Sequence, residues 1–550
     1  MNDQANTKTG IGLPLAGMAL LLLIAYTCSA PFRHLYGLEA RNALFAREML
    51  ANGFSLIPTA LGKPYPDYPG LYFWIETAFS RLAGHVSPLS AVLPSAIFAV
   101  GCVLITFFLA GRINRRTGWL AAATLATFPE FWLRASQATI DIPLAFHVTA
   151  AIACLFFGQT ASPSRKPAYT LGALAFMVLA FFTKGPIGIV LPVGAWGGYL
   201  LLERRFKSIF RFVLISGAVA AGCVAIQLWV LWHTGGDTLI RDVIVRQITG
   251  RFADKSNHPP YYYVTSLLAN GGIWLIVALP AVIRWLHRLR QATWRDRGEQ
   301  MLPRHGVTRI ALSWFIVTLT IFTLASTRHS RYLLPLYPAL AILIAAGLDR
   351  MLGRDNQRLW VSETVIGVPI ALILLAGVAG AALFAEQIFV PMAWIVIWVL
   401  AVAWAWRIIK GRVQRGARTV GMAALLLAAG LSGVNLLIIP QLSRKASGRE
   451  FTIAAEADVD PRIPAVLYRI DPDGDGIKYA LYSRRSPAAL RFVDTDADLK
   501  LMPPPFLLIA RDTGKGPTMA SLLPGRTLEP VARGSIRSHR FSAYRVGNGG

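Results

Sequence analysis

The sequence predicts a polytopic α-helical membrane protein that ends in a small α/β domain, and three observations carry that prediction. The chain has 550 residues, of which 54% are hydrophobic and only 15% charged, an excess of apolar surface over what a soluble core of this size buries. Apolar runs of about 17–23 residues, each long enough to cross a bilayer, recur down to residue 440. Beyond that point the pattern changes to short, β-rich runs divided by Pro, Gly and Asp.

Taken in order, the apolar runs predict helices at 11–30, 89–110, 119–132, 143–160, 168–183, 186–202, 211–232, 262–283, 309–326, 332–348, 363–383, 388–406 and 419–440. The first reads as a retained anchor, because its apolar stretch is long for a signal peptide and no small-x-small cleavage site follows it. Between 31 and 88 lies a long loop. Its LEARNALFAREML segment (38–50) sets Leu38, Ala43, Leu44, Met49 and Leu50 among charges, which predicts an amphipathic interfacial helix stopped at Gly53. The domain boundaries follow: 1–440 is the transmembrane domain and 441–550 the tail. In the tail AVLYRI, KYALYS, LRFVD, FLLIAR and FSAYRV read as strands. DPDGDG (471–476) begins like a calcium loop, but Tyr482 stands where the bidentate glutamate belongs, so it reads as a polar turn.

The net charge of +26 would suggest nucleic acid in a soluble protein. Here the basic residues cluster in alternate short loops: RINRR, PSRKP, ERRFK, RWLHRLRQATWRDR, DRMLGRDNQR and RIIKGRVQRGAR. The positive-inside rule puts those loops in the cytoplasm and calls for no nucleic-acid partner. About thirteen crossings then leave the N-terminus inside and the tail outside. The four cysteines (Cys28, Cys102, Cys154, Cys223) all fall in apolar runs, which implies no disulfide framework and no zinc ribbon.

Against that charge rule, a set of ionisable residues gathers on the outward side, where positions near hydrocarbon are candidates for function. Glu39 and Arg41 open the interfacial helix. Lys63 and Asp67 precede the next apolar run, with Asp67 held between Pro66 and Pro69. Asp141 stands beside Pro143 at a helix start, where the structural alternative is an N-cap. Lys184 occupies a Gly-Pro break between two apolar runs, where the alternative is snorkelling. His258 precedes the tyrosine cluster that includes Tyr261 and Tyr262, and Arg328 and Arg331 offer guanidinium forks suited to phosphate oxygens. Carboxylates suit general-base work and cations suit an anionic leaving group. With no P-loop, no dinucleotide fingerprint and no HExxH helix in the sequence, the pattern points to chemistry on a lipid-borne phosphate substrate.

TKGPIGIVLP (183–192), the Asp141 stretch, HPPYYYV (258–264), RHSRYLLPLYPAL (328–340) and the AREML loop together resemble the protein O-mannosyltransferase superfamily. Within it the sequence is most similar to the bacterial aminoarabinose (lipid A) transferase branch, over about residues 10–350. The resemblance implies a GT-C fold and periplasmic chemistry in the bacterial inner membrane. The implied reaction moves a sugar from a polyprenyl phosphate donor to a glycolipid acceptor such as lipid A, with no nucleotide sugar. It further implies that Lys184, Arg328 and Arg41 hold the donor phosphate. Glu39 or Asp141 would act as general base, and Asp67 would orient the acceptor or join His258 in binding a divalent metal such as zinc. No other cofactor is implied, and a monomer is expected. Two departures stand out. Leu38-Glu39 replaces the usual Asp-Glu pair, and Asp67-Tyr68-Pro69 replaces Glu-Lys-Pro, so Lys63, Arg41 or an arginine from 241–251 is the candidate for the missing cation. The alternatives are a protein or surface-polysaccharide transferase and, in another class, a flippase for lipid-linked sugars. A flippase should carry midplane charges and repeat symmetry, and the sequence shows neither.

Overall fold

The computed structural model describes residues 9–245, 258–291, 305–352, 415–512 and 519–548. The predicted helices at 363–383 and 388–406 lie outside them, as do Arg246 and Arg251. The chain forms two compact units, one from residues 1–28, 67–72 and 92–437 and the other from residues 29–66, 73–91 and 438–550.

The first unit is helical. Among the described residues eight helices are long and apolar enough to cross a membrane, or nine if a bent pair counts as one span. That pair, Tyr262–Asn270 and Ile273–Leu279, turns by 100° where Gly272 takes φ +57, a conformation that glycine adopts at little cost. The expected straight helix 262–283 is therefore corrected to a broken one. The expected helix 119–132 is corrected as well. It consists of Arg115–Ala126 followed by Pro129–Ala135, because the proline holds Phe128 before it in an extended conformation. Helix Phe206–Ile244 is likewise interrupted at Gly235 and Gly236.

Side-chain layers of Trp132, Trp274, Trp314, Tyr26 and Tyr337 fill the core of this unit. Two of them spend a polar atom inside the core: Trp274 donates to Thr127 Oγ1 at 2.9 Å and Tyr26 to the Ala126 carbonyl at 3.1 Å. Hydrocarbon offers no substitute partner, so these bonds fix which helix faces meet. The ends of the bundle also separate as the charge pattern predicts. Arg116 pairs with Asp349, and Arg309 with Glu203 at 2.9 Å. These pairs join loops assigned to one side, whereas Asp141, Lys184 and Arg331 meet at the opposite helix ends.

The second unit combines the first long loop with the tail. Helix Leu38–Asn52 forms as predicted and stops at Gly53, φ +91. It is more deeply packed than an interfacial helix needs to be, burying Glu39, Asn42 and Glu48 together with its apolar face, and it lies against helix Ile477–Tyr482. Strands β1 (Thr59–Ala60) and β2 (Lys63–Pro64) make a small antiparallel ribbon.

The tail is a five-stranded sheet in the order β4-β3-β5-β7-β6. Its strands are β3 (Ala465–Tyr468), β4 (Leu490–Val493), β5 (Phe506–Arg511), β6 (Arg526–Ile536) and β7 (His539–Asn548). Strands β4, β3 and β5 run parallel, with β4 at one edge, and β7 and β6 complete the sheet antiparallel. KYALYS, expected as a strand, is helical, and β6 was not expected. DPDGDG is a tight turn in which Asp471 accepts from Asp473 N at 3.0 Å. Asp475 there takes Lys478 at 2.6 Å and His539 at 2.8 Å, and those partners hold its carboxyl below the ordinary range despite burial.

Candidate active site

Asp141 is the first residue of helix Asp141–Thr160, and Lys184 is the last of helix Lys166–Lys184. These two helices pack antiparallel, so the carboxylate sits at a positive helix end and the ammonium at a negative one, each the favoured arrangement. Gly185, φ +81, then turns the chain into helix Ile187–Leu202.

Lys184 Nζ donates to Asp141 Oδ1, and Arg331 Nε approaches Oδ2 at 3.6 Å. Thr139 Oγ1 donates to Oδ2 at 3.1 Å. The Asp141 side chain is only 3% exposed, against 10% for Lys184 and 22% for Arg331. Lys184 Nζ also lies 4.3 Å from the centroid of the Tyr332 ring, and the Arg331 guanidinium 5.4 Å from the same ring. A cation over an aromatic face is stabilised without being neutralised.

The segment that supplies Arg331 is anchored on both sides. Ser330 Oγ donates to Glu130 Oε1 at 3.0 Å, and the same oxygen accepts from Arg134 Nε at 3.1 Å. Arg134 continues to Gln137 Oε1 at 3.0 Å. On the other side His329 N donates to the buried Tyr263 hydroxyl at 3.3 Å. Burial, with Arg331 next in weight, holds the His329 imidazole below its ordinary range, so it stays neutral beside these cations. Arg328 reaches the His258 carbonyl at 2.5 Å, and the His258 ring stacks on Tyr262 at 4.2 Å. Tyr261 is 63% exposed. Lys184, Arg331, Arg134 and Arg328 thus outnumber Asp141 and Glu130 on described elements of one unit.

The remaining expected residues are placed as follows. Asp67 belongs to the first unit, half-buried in the turn before helix Leu71–Leu82. Glu39, Arg41 and Lys63 belong to the second. There both Glu39 oxygens bind Arg33, at 2.5 and 3.1 Å, with both side chains almost fully buried. Arg41 donates to Tyr65 Oη at 3.3 Å, and Lys63 is exposed on β2.

Glu130, Arg134, Tyr263 and Tyr332 are additions to the expected set. For the first two the available signal is an i,i+4 acid–base pair at the end of an apolar run. Among the described residues no group of three or more His, Cys, Asp or Glu side chains is arranged to hold a metal. Asp67 and His258 belong to no such group among the described residues.

The family described as dolichyl-phosphate-mannose-protein mannosyltransferase matches residues 67–232, a stretch that contains Asp67, Asp141 and Lys184. An undecaprenyl phosphate-α-4-amino-4-deoxy-L-arabinose arabinosyl transferase from Edwardsiella ictaluri is 29% identical over 384 residues, covering 67% of this chain and 66% of the relative. One from Sodalis glossinidius is 27% identical over 341 residues, covering 60% and 59%. The chain thus spans somewhat under two thirds of the length of these curated relatives. The crystal structure of ArnT from Cupriavidus metallidurans bound to undecaprenyl phosphate superposes with a TM-score of 0.75 at 20% identity, covering 97% of this chain and 98% of that one. The fold is GT-C. An Archaeoglobus fulgidus oligosaccharyltransferase shares the GT-C architecture more distantly, with a TM-score of 0.51 at 12% identity over 97% of this chain and 73% of that one. This GT-C chain is a multi-pass membrane protein by the same likeness and by its own apolar helices.

Proposed function

We propose that this GT-C chain is a membrane glycosyltransferase that moves a sugar from a polyprenyl phosphate to an envelope glycolipid. The donor class is undecaprenyl phosphate, the sugar 4-amino-4-deoxy-L-arabinose and the acceptor lipid A. The reaction faces the periplasm of the bacterial inner membrane. The observation that carries this reading is the Asp141 carboxylate buried between Lys184 and Arg331, at the helix ends opposite the predicted cytoplasmic loops. Relatives named for undecaprenyl phosphate arabinosyl transfer support it.

In the reaction an acceptor oxygen attacks the anomeric carbon, the bond from that carbon to the phosphate oxygen breaks, and polyprenyl phosphate leaves with the electron pair. Lys184 and Arg331 stabilise the charge that grows on that oxygen, in a site dry enough for them to count. Asp141 holds both cations in place and, for a hydroxyl acceptor, takes the proton. A phosphate acceptor is already ionised and needs no base. Arg328 adds a further cation beside the same segment.

The test is transfer in nanodiscs, with labelled undecaprenyl-phosphate sugar and a panel of lipid A, protein and polysaccharide acceptors. Release of free undecaprenyl phosphate should depend on lipid A and fail in Lys184→Ala and Asp141→Asn. Acceptor-independent movement of labelled donor across proteoliposomes, with no release, would replace the transferase by a flippase.

A further inference from the structure

The second unit holds a groove of ≈ 770 Å³ made entirely from its own residues. Two of its walls come from sequence at the ends of membrane spans. Ala30 and Pro31 close the span Gly12–Phe32, and Pro88 and Leu89 open the span Pro88–Ala110. The groove therefore lies where the chain crosses the bilayer boundary. Leu35, Leu50, Ala51, Val86 and Leu481 complete an apolar lining, the surface that an acyl chain would cover.

Its polar lining carries three arginines beside two histidines, Ser87 and Tyr482, and no carboxylate belongs to it. Arg33, His34, Arg47, His85 and Arg449 all line the groove. Arg33 is spent on Glu39, but the others keep their charge or their hydrogen-bonding edge. Arg47 donates to three neutral acceptors, the carbonyls of Ala480 at 2.8 Å, Leu481 at 2.7 Å and Ser483 at 2.6 Å, which fix the guanidinium without neutralising it. The acids that act on Arg47 are Glu456 and Glu48. Glu456 pairs with Arg485 at 2.9 Å, and Glu48 takes Thr59 at 2.6 Å.

Arg449 is set by His34. Its guanidinium donates to His34 Nε2 at 3.1 Å, while His34 Nδ1 donates to Ser447 Oγ at 3.1 Å. Burial, then Arg449 and Arg444, push this imidazole down to about 4, so it is a neutral acceptor that aims Arg449 without competing for an anion.

We propose that this groove binds one anionic phospholipid, its phosphate on Arg449 and Arg47 and the upper part of one acyl chain along the Leu50–Ala51 and Val86–Leu89 walls. The volume favours a phospholipid over a multi-acyl glycolipid, since roughly 300–1,000 Å³ is the scale of a pocket for one small ligand. The site shares no residue with the Asp141 cluster, so it is a lipid-anchoring position additional to the transfer site.

The test is native mass spectrometry of the full chain in detergent, titrated with dioleoylphosphatidylglycerol or dioleoylphosphatidylcholine. Phosphatidylglycerol should bind roughly tenfold more tightly, because both lipids bring the phosphate but the choline of phosphatidylcholine adds a cation beside Arg449 and Arg47. Arg449→Glu, and Arg449→Gln as the milder variant, should erase that preference. Ala51→Trp, which fills the groove, should lower binding of both lipids, and Lys184→Ala should leave binding unchanged while transfer is lost. Equal binding of the two lipids by the wild type, or a preference that survives Arg449→Gln with the melting temperature intact, overturns the proposal. So does a preference that disappears in Lys184→Ala, which would assign the bound lipid to the transfer site.

Discussion

Replacing Lys184 by alanine leaves the Asp141 carboxylate, 3% exposed, with one cationic partner in place of two. Breaking a buried ion pair by removing one member costs about 3–5 kcal/mol, because the remaining charge is stranded. Here Arg331 remains 3.6 Å away, and at an effective dielectric of about 20 such a contact retains several kcal/mol of attraction. The expected cost of Lys184→Ala is therefore reduced to about 2–3 kcal/mol. Asp141→Asn in the same chain removes the stranded charge, so the double variant should be more stable than Lys184→Ala alone. The resulting coupling energy should be about 2 kcal/mol. Unfolding free energies from SDS titration in mixed micelles give all four corners of the cycle. Transfer should stay absent in the double variant although its stability has returned, which separates catalysis from folding. A Lys184→Ala cost within about 0.5 kcal/mol of zero, or strictly additive effects, would show that the pair is solvated and would refute the argument.

Glu130→Gln keeps an acceptor for Ser330 but loses the charge that holds Arg134, and it should lower kcat of transfer roughly tenfold with KM little changed; an unchanged kcat refutes a positioning role. Gly188→Ala places a Cβ 2.3 Å from the backbone carbon of Ala180, so the melting temperature should fall with a cost of about 1–3 kcal/mol or more, and a wild-type melting curve would show that these helices can separate freely. His34 has its folded pKa lowered from 6.5 to about 4, so between those values the unfolded chain binds more protons. Its share of stability is complete above pH 6.5 and is lost as pH falls through that window toward 4. The wild-type melting temperature should therefore drop more steeply than that of His34→Gln between pH 6.5 and 4, and parallel curves would contradict this.

The helical architecture was legible because a membrane span needs length and apolarity, and both are written in the sequence. The errors fall where hydropathy is blind to backbone geometry. WLAAATLATFPEFW is apolar apart from Thr124, Thr127 and Glu130, yet Pro129 divides it into two short helices. KYALYS alternates like a strand over too few residues to exclude one turn and a half of helix, and its packing against Leu38–Asn52 decides the outcome. β6 carries Pro530 and several exposed side chains, which disguise an edge strand that needs pairing on one side only.

The same contrast governs the site. Asp141, Lys184 and Arg331 are legible because each interrupts the end of an apolar run, whereas Glu130 lies inside a stretch read as one crossing and Arg134 just past its end. Sequence leaves the carboxylates unranked, and on the proposed reading their partners separate them. Glu39 and Asp141 each open a helix and each meet a cation, but both Glu39 oxygens are taken by the one guanidinium of Arg33. Asp141 divides its oxygens between Lys184 and Arg331, and both cations also face the Tyr332 ring. A donor phosphate can take over those cations, since two anions compete for the same charges and the phosphate brings more of it. Each cation so transferred leaves one oxygen of Asp141 less engaged and more basic. On the proposed reading, binding of the donor is thus what prepares the base, and Glu39, buried against Arg33, holds the start of its own helix.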